Sequence, residues 1–276
     1  MGRLRTAAVP VARGAVKWTS AGVDVLRRPT PGIVVLIYHR VGSGSGGQMD
    51  LDPAAFDRQL AWLAAHHRVL SLDEAAEELS AARGPVAPGV VLTFDDGTAD
   101  WVDNVLPALD RHRVPATFYV ATDFVERGRE FPAGGRPATW EGLRELASSP
   151  LVTIGHHTHT HALLDRLDPA EVDGELDRAT ELLGERLGVT PAHFAYPKAV
   201  AGSATAEAAV RRRFRTAVLA GTRSNHEGTD LHRISRSPVQ PADGDRWFRA
   251  KTRGGLGLED ELRRTANRLR YRGATS

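Results

Sequence analysis

The chain has 276 residues, a formal net charge of only +2, 41% hydrophobic and 25% charged residues, and no cysteine. This is the composition of an ordinary globular protein. It excludes disulfides and thiolate-held metals, and so balanced a charge argues against nucleic acid as a partner.

In chain order, residues 1–30 form a basic leader with Arg3, Arg5, Arg13, Lys17, Arg27 and Arg28. Its longest apolar stretch, Thr6 to Ala12, is broken by Pro10 and closed by Arg13, too short for a secretory core. No run approaches the ~18 apolar residues of a membrane span. The leader therefore reads as a solvated, disordered segment of a cytoplasmic protein, with weak peripheral contact to anionic lipid headgroups as the alternative. Strand-like runs follow near 33–38, 68–70, 90–94, 116–120, 151–155, 193–196, 215–219 and 231–235, with helical patterns between them. The Gly/Ser run from Gly42 to Gly47 follows the first strand too closely to divide domains and reads as a mobile loop beside His39. One helix runs from Pro53 to about His66 with Phe56, Leu60 and Leu63 facing inward. The clearest helix opens at Asp168, with Pro169 first and Glu171 completing a capping box. It sets Val172, Leu176, Ala179, Leu183 and Leu187 on one stripe. Such alternation demands a mainly parallel sheet, and seven or eight strands of it close into a single-domain barrel. Residues 241–276 are expected to be a basic helical extension packed on that barrel. Within them, 246–272 hold nine basic and three acidic residues interspersed with Trp247, Phe248, Leu258, Leu262, Leu269 and Tyr271.

Two strand-like runs end in reactive groups. Thr93-Phe94-Asp95-Asp96-Gly97 puts adjacent carboxylates past one of them, and Leu151 to Gly155 leads into His156-His157-Thr158-His159-Thr160-His161. In alternating β/α folds, ligands gather at the carboxyl ends of the strands, so both clusters point at one mouth. Two imidazoles and a carboxylate are a common ligand set for Zn²⁺, leaving a position for water whose pKa falls to about 7. A second carboxylate can take that water's proton. Asp-Asp-Gly alone is better explained as a turn, but four histidines in six residues are a metal-binding composition. If the histidine segment stays extended, alternation puts His157, His159 and His161 on one face.

These two motifs, in this order, resemble those of the polysaccharide deacetylases of carbohydrate esterase family 4, the NodB-homology domain, over roughly residues 30 to 240. The resemblance implies an irregular (β/α)7 barrel at 31–240. It also implies one divalent metal, Zn²⁺ first, with Co²⁺, Ni²⁺ or Fe²⁺ as alternatives. It assigns Asp95 as the base and Asp96, His157 and His161 as metal ligands, leaving His156 and His159 outside the metal shell. The family's third motif, R-x-P-Y, is altered here: in Phe194-Ala195-Tyr196-Pro197-Lys198-Ala199, Ala195 replaces the Arg and Lys198 the Tyr. The backbone N–H of Lys198 can still hold an oxyanion, and Tyr196 is a candidate substrate contact. Arg233 or Arg236 is expected to replace the missing Arg, with Arg233 also a candidate substrate contact.

Many members take the general acid from a late L-x-H motif, for which His232 is the candidate. The branch resembling poly-β-1,6-N-acetylglucosamine deacetylases carries it after an early strand, as His39 follows Tyr38 here, and His39 is favoured. Trp101 and Trp140 are either sugar-stacking or core residues. The expected function is metal-dependent removal of an N-acetyl group from an acetamido sugar in a carbohydrate, glycan or glycoconjugate. A two-metal phosphoesterase and a catalytically degenerate carbohydrate-binding protein are the alternatives.

Overall fold

A computed structural model describes residues 16–24, 28–132 and 134–262 of the chain. Helix α1 (16–24) precedes strand β1 (Ile33–Tyr38), which leads through two short strands, β2 (Arg40–Val41) and β3 (Asp50–Leu51), into α2 (Pro53–His66). After β4 (Val69–Leu70) and α3 (Leu72–Ala81) comes β5 (Gly89–Asp96), then a π-helical turn at Trp101–Val105 continuing into α4 (Leu106–His112). Next come β6 (Ala116–Val120), α5 (Thr122–Arg127), α6 (Trp140–Ser148), β7 (Val152–His156) and α7 (Pro169–Leu187). The described chain continues through β8 (His193–Ala195), α8 (Ala204–Arg213), β9 (Thr216–Ala220), β10 (Ile234–Pro238) and α9 (Gly244–Lys251).

The strand β1 pairs with both β5 and β10, and the series β10, β9, β8, β7, β6 returns to β5, so seven parallel strands close a barrel. The expected run near 68–70 is a strand but not a barrel stave. It pairs with Val90 and Val91 of β5, on the edge that β6 occupies from Leu92 onward. Alternation sorts the side chains. Val35, Val91, Tyr119, Ala195, Val218 and Ile234 share the interior. Val34, Leu36, Leu92, Phe94 and Phe118 face the helices, with Phe56, Leu60 and Leu63 of α2 packed on them. Leu60 and Leu63 are fully buried, and truncating either to Ala costs roughly 2–5 kcal/mol.

Local chemistry sets the helix ends. Asp52 caps α2 by accepting the Ala55 N–H at 2.9 Å. The capping box of α7 is complete, with Asp168 and Glu171 each accepting the other's N–H at 2.9 Å, and Gly188 ends that helix at φ +70°.

Three expectations change. The last strand starts at Ile234, three residues later than the start of the expected run 231–235, because Asp230 holds the preceding segment in a turn. Its carboxylate accepts the His232 N–H at 2.9 Å and its carbonyl the Arg233 N–H at 2.8 Å. The Gly42–Gly47 loop is pinned, since Asp50 accepts hydrogen bonds of 2.8–3.0 Å from the N–H and hydroxyl of both Ser43 and Ser45. Within the leader, 16–24 is helical rather than solvated coil. Lys17 is buried there and ion-paired with Asp243, which also takes Lys251 at 2.8 Å. Residues 1–15 and 25–27 of the leader, and 263–276 of the C-terminal extension, lie outside the described residues. The helix α9 buries Phe248 in the same core as α2. Among the described residues, no helix is long and apolar enough to cross a membrane.

Candidate metal centre and active site

Strict alternation along β5 would send Asp95 and Asp96 to opposite faces. Asp95 keeps the inward parity of Val91 and Thr93. Asp96 sits at the strand end with φ +93°, followed by Gly97 at φ +117°, and this left-handed turn lets its carboxylate join the same mouth.

The histidine segment is bent in the same way. The strand β7 stops at His156, and Thr158 and His161 have φ of +62° and +65°, so the segment loops instead of staying extended. Glu175 of α7 holds the loop. Its carboxylate accepts the N–H of His159 at 2.9 Å, the N–H of Thr160 at 2.8 Å and the Thr160 hydroxyl at 2.7 Å.

His157 Nδ1 lies 2.7 Å from the Ala195 carbonyl oxygen. A carbonyl only accepts, so Nδ1 carries the proton and Nε2 presents a bare lone pair. That Nε2 is 3.8 Å from Asp96 Oδ1, and His161 Nε2 is 3.6 Å from the same oxygen. One donor atom from each of the three residues falls within 4.8 Å of the others. A tetrahedral ion with ligands at about 2.1 Å needs donor separations of about 3.4 Å, so a small inward movement suffices. Burial pushes His157 down, against the upward pull of Asp95 and Asp96. Burial, then the neighbouring His157, take His161 down to about 4. Both rings are thus neutral at pH 7, the state a metal requires. Two neutral imidazoles and a carboxylate fit a divalent cation. Among the described residues there is no second such group, which leaves the two-metal phosphoesterase without support.

Asp95 stands apart from this set. Arg236, fully buried on β10, donates to Asp95 Oδ1 at 2.6 Å, to Oδ2 at 2.7 Å and to Thr93 Oγ1 at 2.9 Å. Burial alone would raise the Asp95 carboxyl, but Arg236 and then His157 outweigh it and hold it at about 2. With Ala195 at the position where the resemblance expects an arginine, the guanidinium on Asp95 comes instead from β10, two strands along the barrel from β8. The register explains the choice: Ile234 and Arg236 are inward on β10, and Arg236 pairs with Val35 of β1.

The remaining predicted residues divide between the two ends of the barrel. His39 follows β1 with the inward parity of Ile33 and Val35, is half-buried, and acts electrostatically on Asp95. Lys198 follows β8 in a left-handed turn (φ +52°), near enough for its charge to act on His161. Arg233 is not at the mouth. It precedes β10 at the amino-terminal end, exposed and ion-paired with Glu207, so it is corrected as a substrate contact. Tyr196 has outward parity and packs edge-on against Phe194 at 4.9 Å in the α7–α8 core, which removes it from the substrate side as well. His232 is also at the far end, its Nε2 donating to the Phe214 carbonyl at 2.8 Å. His156 points outward and donates to the Leu176 carbonyl at 3.0 Å, while His159 turns to Thr122 Oγ1 at 2.9 Å and Asp123 at 3.7 Å. Trp101 is fully buried, a core residue, and half-buried Trp140 donates to Glu126 at 2.6 Å.

Sequence reasoning missed Glu175. Its signal was an acidic residue on the apolar stripe of Val172, Leu176 and Ala179.

Fold and site together define a class, the closed parallel α/β barrels with an Asp-His-His cluster at the carboxyl-end mouth. The sequence profile of the polysaccharide deacetylase family matches residues 83–217. YxkH of Bacillus subtilis (strain 168) is 24% identical over 208 residues, covering 74% of this chain and 71% of that protein. The poly-β-1,6-N-acetyl-D-glucosamine N-deacetylase of Escherichia coli K12 is 29% identical over 141 residues, which is 47% of this chain but 21% of that protein. Among solved structures, IcaB from Ammonifex degensii matches with a TM-score of 0.71 at 26% identity, over 82% of this chain and 98% of that one. The chain is therefore similar to the polysaccharide deacetylases over residues 83–217, and the N-deacetylation named for the E. coli relative is cleavage of an amide C–N bond. The profile match contains Asp95, Asp96, His157, His161 and Lys198, whereas His39 and Arg236 lie outside it.

Proposed function

We propose that the protein removes acetyl groups from acetamido sugars, in an N-acetylglucosamine-containing glycan or glycoconjugate, using one divalent cation held by Asp96, His157 and His161. The observation that carries the reading is the separation of roles between adjacent carboxylates. Asp96 Oδ1 lies 3.6–3.8 Å from two histidine nitrogens, while Asp95 is clamped on Arg236. The E. coli relative's action on poly-β-1,6-N-acetyl-D-glucosamine supports an N-acetylglucosamine substrate.

A cation in this site supplies Lewis acidity, which makes water a nucleophile near neutral pH and offsets charge on the acetyl oxygen; zinc is the first expectation, from its preference for this donor set. Asp95 takes the proton of the attacking water. Arg236 uses one lone-pair direction on each carboxylate oxygen, and a carboxylate has about four, so directions remain for water. The same clamp keeps Asp95 ionised across the working pH range. As the water oxygen bonds to the acetyl carbon, the N–H of Lys198 faces the developing oxyanion, a donor worth about 10²–10³ in rate. The C–N bond then breaks, and His39 gives its proton to the departing nitrogen, leaving acetate and a free amine.

The test is metal analysis of the purified protein together with an acetate-release screen over N-acetylglucosamine mono- and oligosaccharides. One metal per chain and acetate release abolished by Asp95→Asn, with metal retained, are expected. Full activity after exhaustive chelation overturns the reading.

A further inference from the structure

The paired register of β1 ends one residue short of His39. Tyr38 is matched with Phe94 of β5 and the ladder stops there, so His39 lies just beyond the barrel wall. Its backbone is held from another element, the turn that opens the helix after β5. Trp101 donates its indole N–H to the His39 carbonyl at 2.7 Å, Asp100 accepts the Val41 N–H at 2.7 Å, and Asn104 donates to the Val41 carbonyl at 2.7 Å. Arg40, between the two gripped residues, is buried; its guanidinium donates to the Pro132 carbonyl at 2.7 Å and its N–H to the Met49 carbonyl at 3.0 Å. Gly42, at φ +74°, lets the segment pass so closely, since a Cβ there would meet Asn104 Nδ2 at 2.9 Å and Pro53 Cγ at 2.6 Å.

The gripping turn is the π-helical one at Trp101–Val105, in which the Leu106 N–H donates to the Trp101 carbonyl. Pro107 accounts for the widening, because it offers no N–H to the Asp103 carbonyl and its ring crowds that oxygen. Single π-helical turns are rare and recur at functional sites. The Trp101 ring meets Phe118 at 5.0 Å and Phe94 at 6.3 Å, so the indole N–H is a fixed donor. Asp100 follows Asp96 by four residues, which ties the bracket to the strand that carries both carboxylates of the site.

We infer that Asp100, Trp101 and Asn104 are positioning residues for His39, fixing where its imidazole meets the departing nitrogen. The inference rests on the reading proposed above, in which His39 is the general acid. Proton transfer is steep in distance, and a shift of about 1 Å can cost about 10² in rate. Loss of one of the three bonds should therefore lower kcat by about ten-fold, less than loss of the imidazole itself.

The test compares two substrates of the metal-loaded protein, an N-acetylglucosamine oligosaccharide and 4-nitrophenyl acetate. Both need the metal, Asp95 and the oxyanion donor, but 4-nitrophenolate departs without a proton, so only the amide needs a well-placed acid. Trp101→Phe, which keeps an aromatic ring in the core, and Asn104→Ala should each lower kcat on the amide with KM unchanged and leave ester hydrolysis as in the wild type. Neither should cost anything further in a His39→Gln background, since both act through that ring. Equal losses on amide and ester, no loss on the amide, or additive losses with His39→Gln overturn the inference. Imidazole NMR reads the position without turnover: the His39 resonance should move in both variants while that of buried His193 stays, and an unmoved His39 overturns the bracket whatever the protein's substrate. A wild-type protein that releases acetate from the ester but from no acetamido sugar would instead defeat the deacetylase reading.

Discussion

Replacing Arg236 with Met removes three hydrogen bonds from the barrel interior, two to Asp95 and one to Thr93, and leaves a carboxylate that is only 5% exposed without its counter-charge. The drop of the Asp95 carboxyl from 3.8 to about 2 corresponds to about 2.5 kcal/mol of stability. Because the folded value lies below the unfolded one, that stability is fully present above pH ~4 and lost as pH falls through ~2. Removing the partner also strands a buried charge, which brings the expected loss to roughly 3–5 kcal/mol at pH 7. At roughly 2–4 °C per kcal/mol for a domain of this size, the melting temperature should fall on the order of 10 °C. With the guanidinium gone, burial dominates and the Asp95 carboxyl rises, so the acid limb of kcat/KM should move toward neutral pH. The double variant Arg236→Met/Asp95→Asn should regain most of the lost melting temperature while remaining inactive, since the stranded charge is gone but so is the base. Calorimetry and a pH–rate profile of acetate release make the comparison. An Arg236→Met protein with wild-type melting and an unmoved acid limb would refute the reasoning.

Glu175→Ala should loosen the loop that carries His157 and His161. Chelator competition should show metal affinity weaker by about 10–100-fold, with catalysis recovering at high metal concentration. His157→Gln and His161→Gln should each take the metal content toward zero, whereas His159→Gln should leave one metal per chain by elemental analysis. His39→Gln should lower kcat by about 10²–10⁴ while metal content is unchanged. In metal-free protein, His156 is buried neutral, with its pKa pushed down to about 3 by burial, so the unfolded chain takes up a proton below pH ~6.5 that the folded chain refuses. Stability measured by urea titration should therefore fall as pH drops from 7 to 4, by up to about 1.4 kcal/mol per pH step for each such histidine. A rise in stability on acidification contradicts the assignment.

Much of this architecture was written locally. The capping box at Asp168, the helix from Pro53 and the strand-like runs ending at Tyr38, Val120 and near His156 depend on neighbours in sequence, and short-range patterns record them. The convergence of Asp96, His157 and His161 was legible because each cluster follows a strand whose end must face the mouth. What was hidden depended on register and distant pairing. Arg233 and Arg236 looked alike until the Asp230 turn delayed the strand, after which parity sends one to the solvent and the other onto Asp95. Tyr196 looked like a mouth residue because it adjoins Pro197, yet alternation from inward Ala195 sends its ring into the α7–α8 core. The role of Glu175 needed the spatial approach of α7 to the histidine loop, which no spacing rule encodes.

Anomalous diffraction at the zinc edge, from crystals grown with Zn²⁺, tests the central assignment most directly. One peak is predicted, about 2.0–2.2 Å from an Asp96 oxygen and from Nε2 of His157 and His161, with Asp95 still bound to Arg236. A peak coordinated by Asp95, or one lying away from this triad, would contradict it.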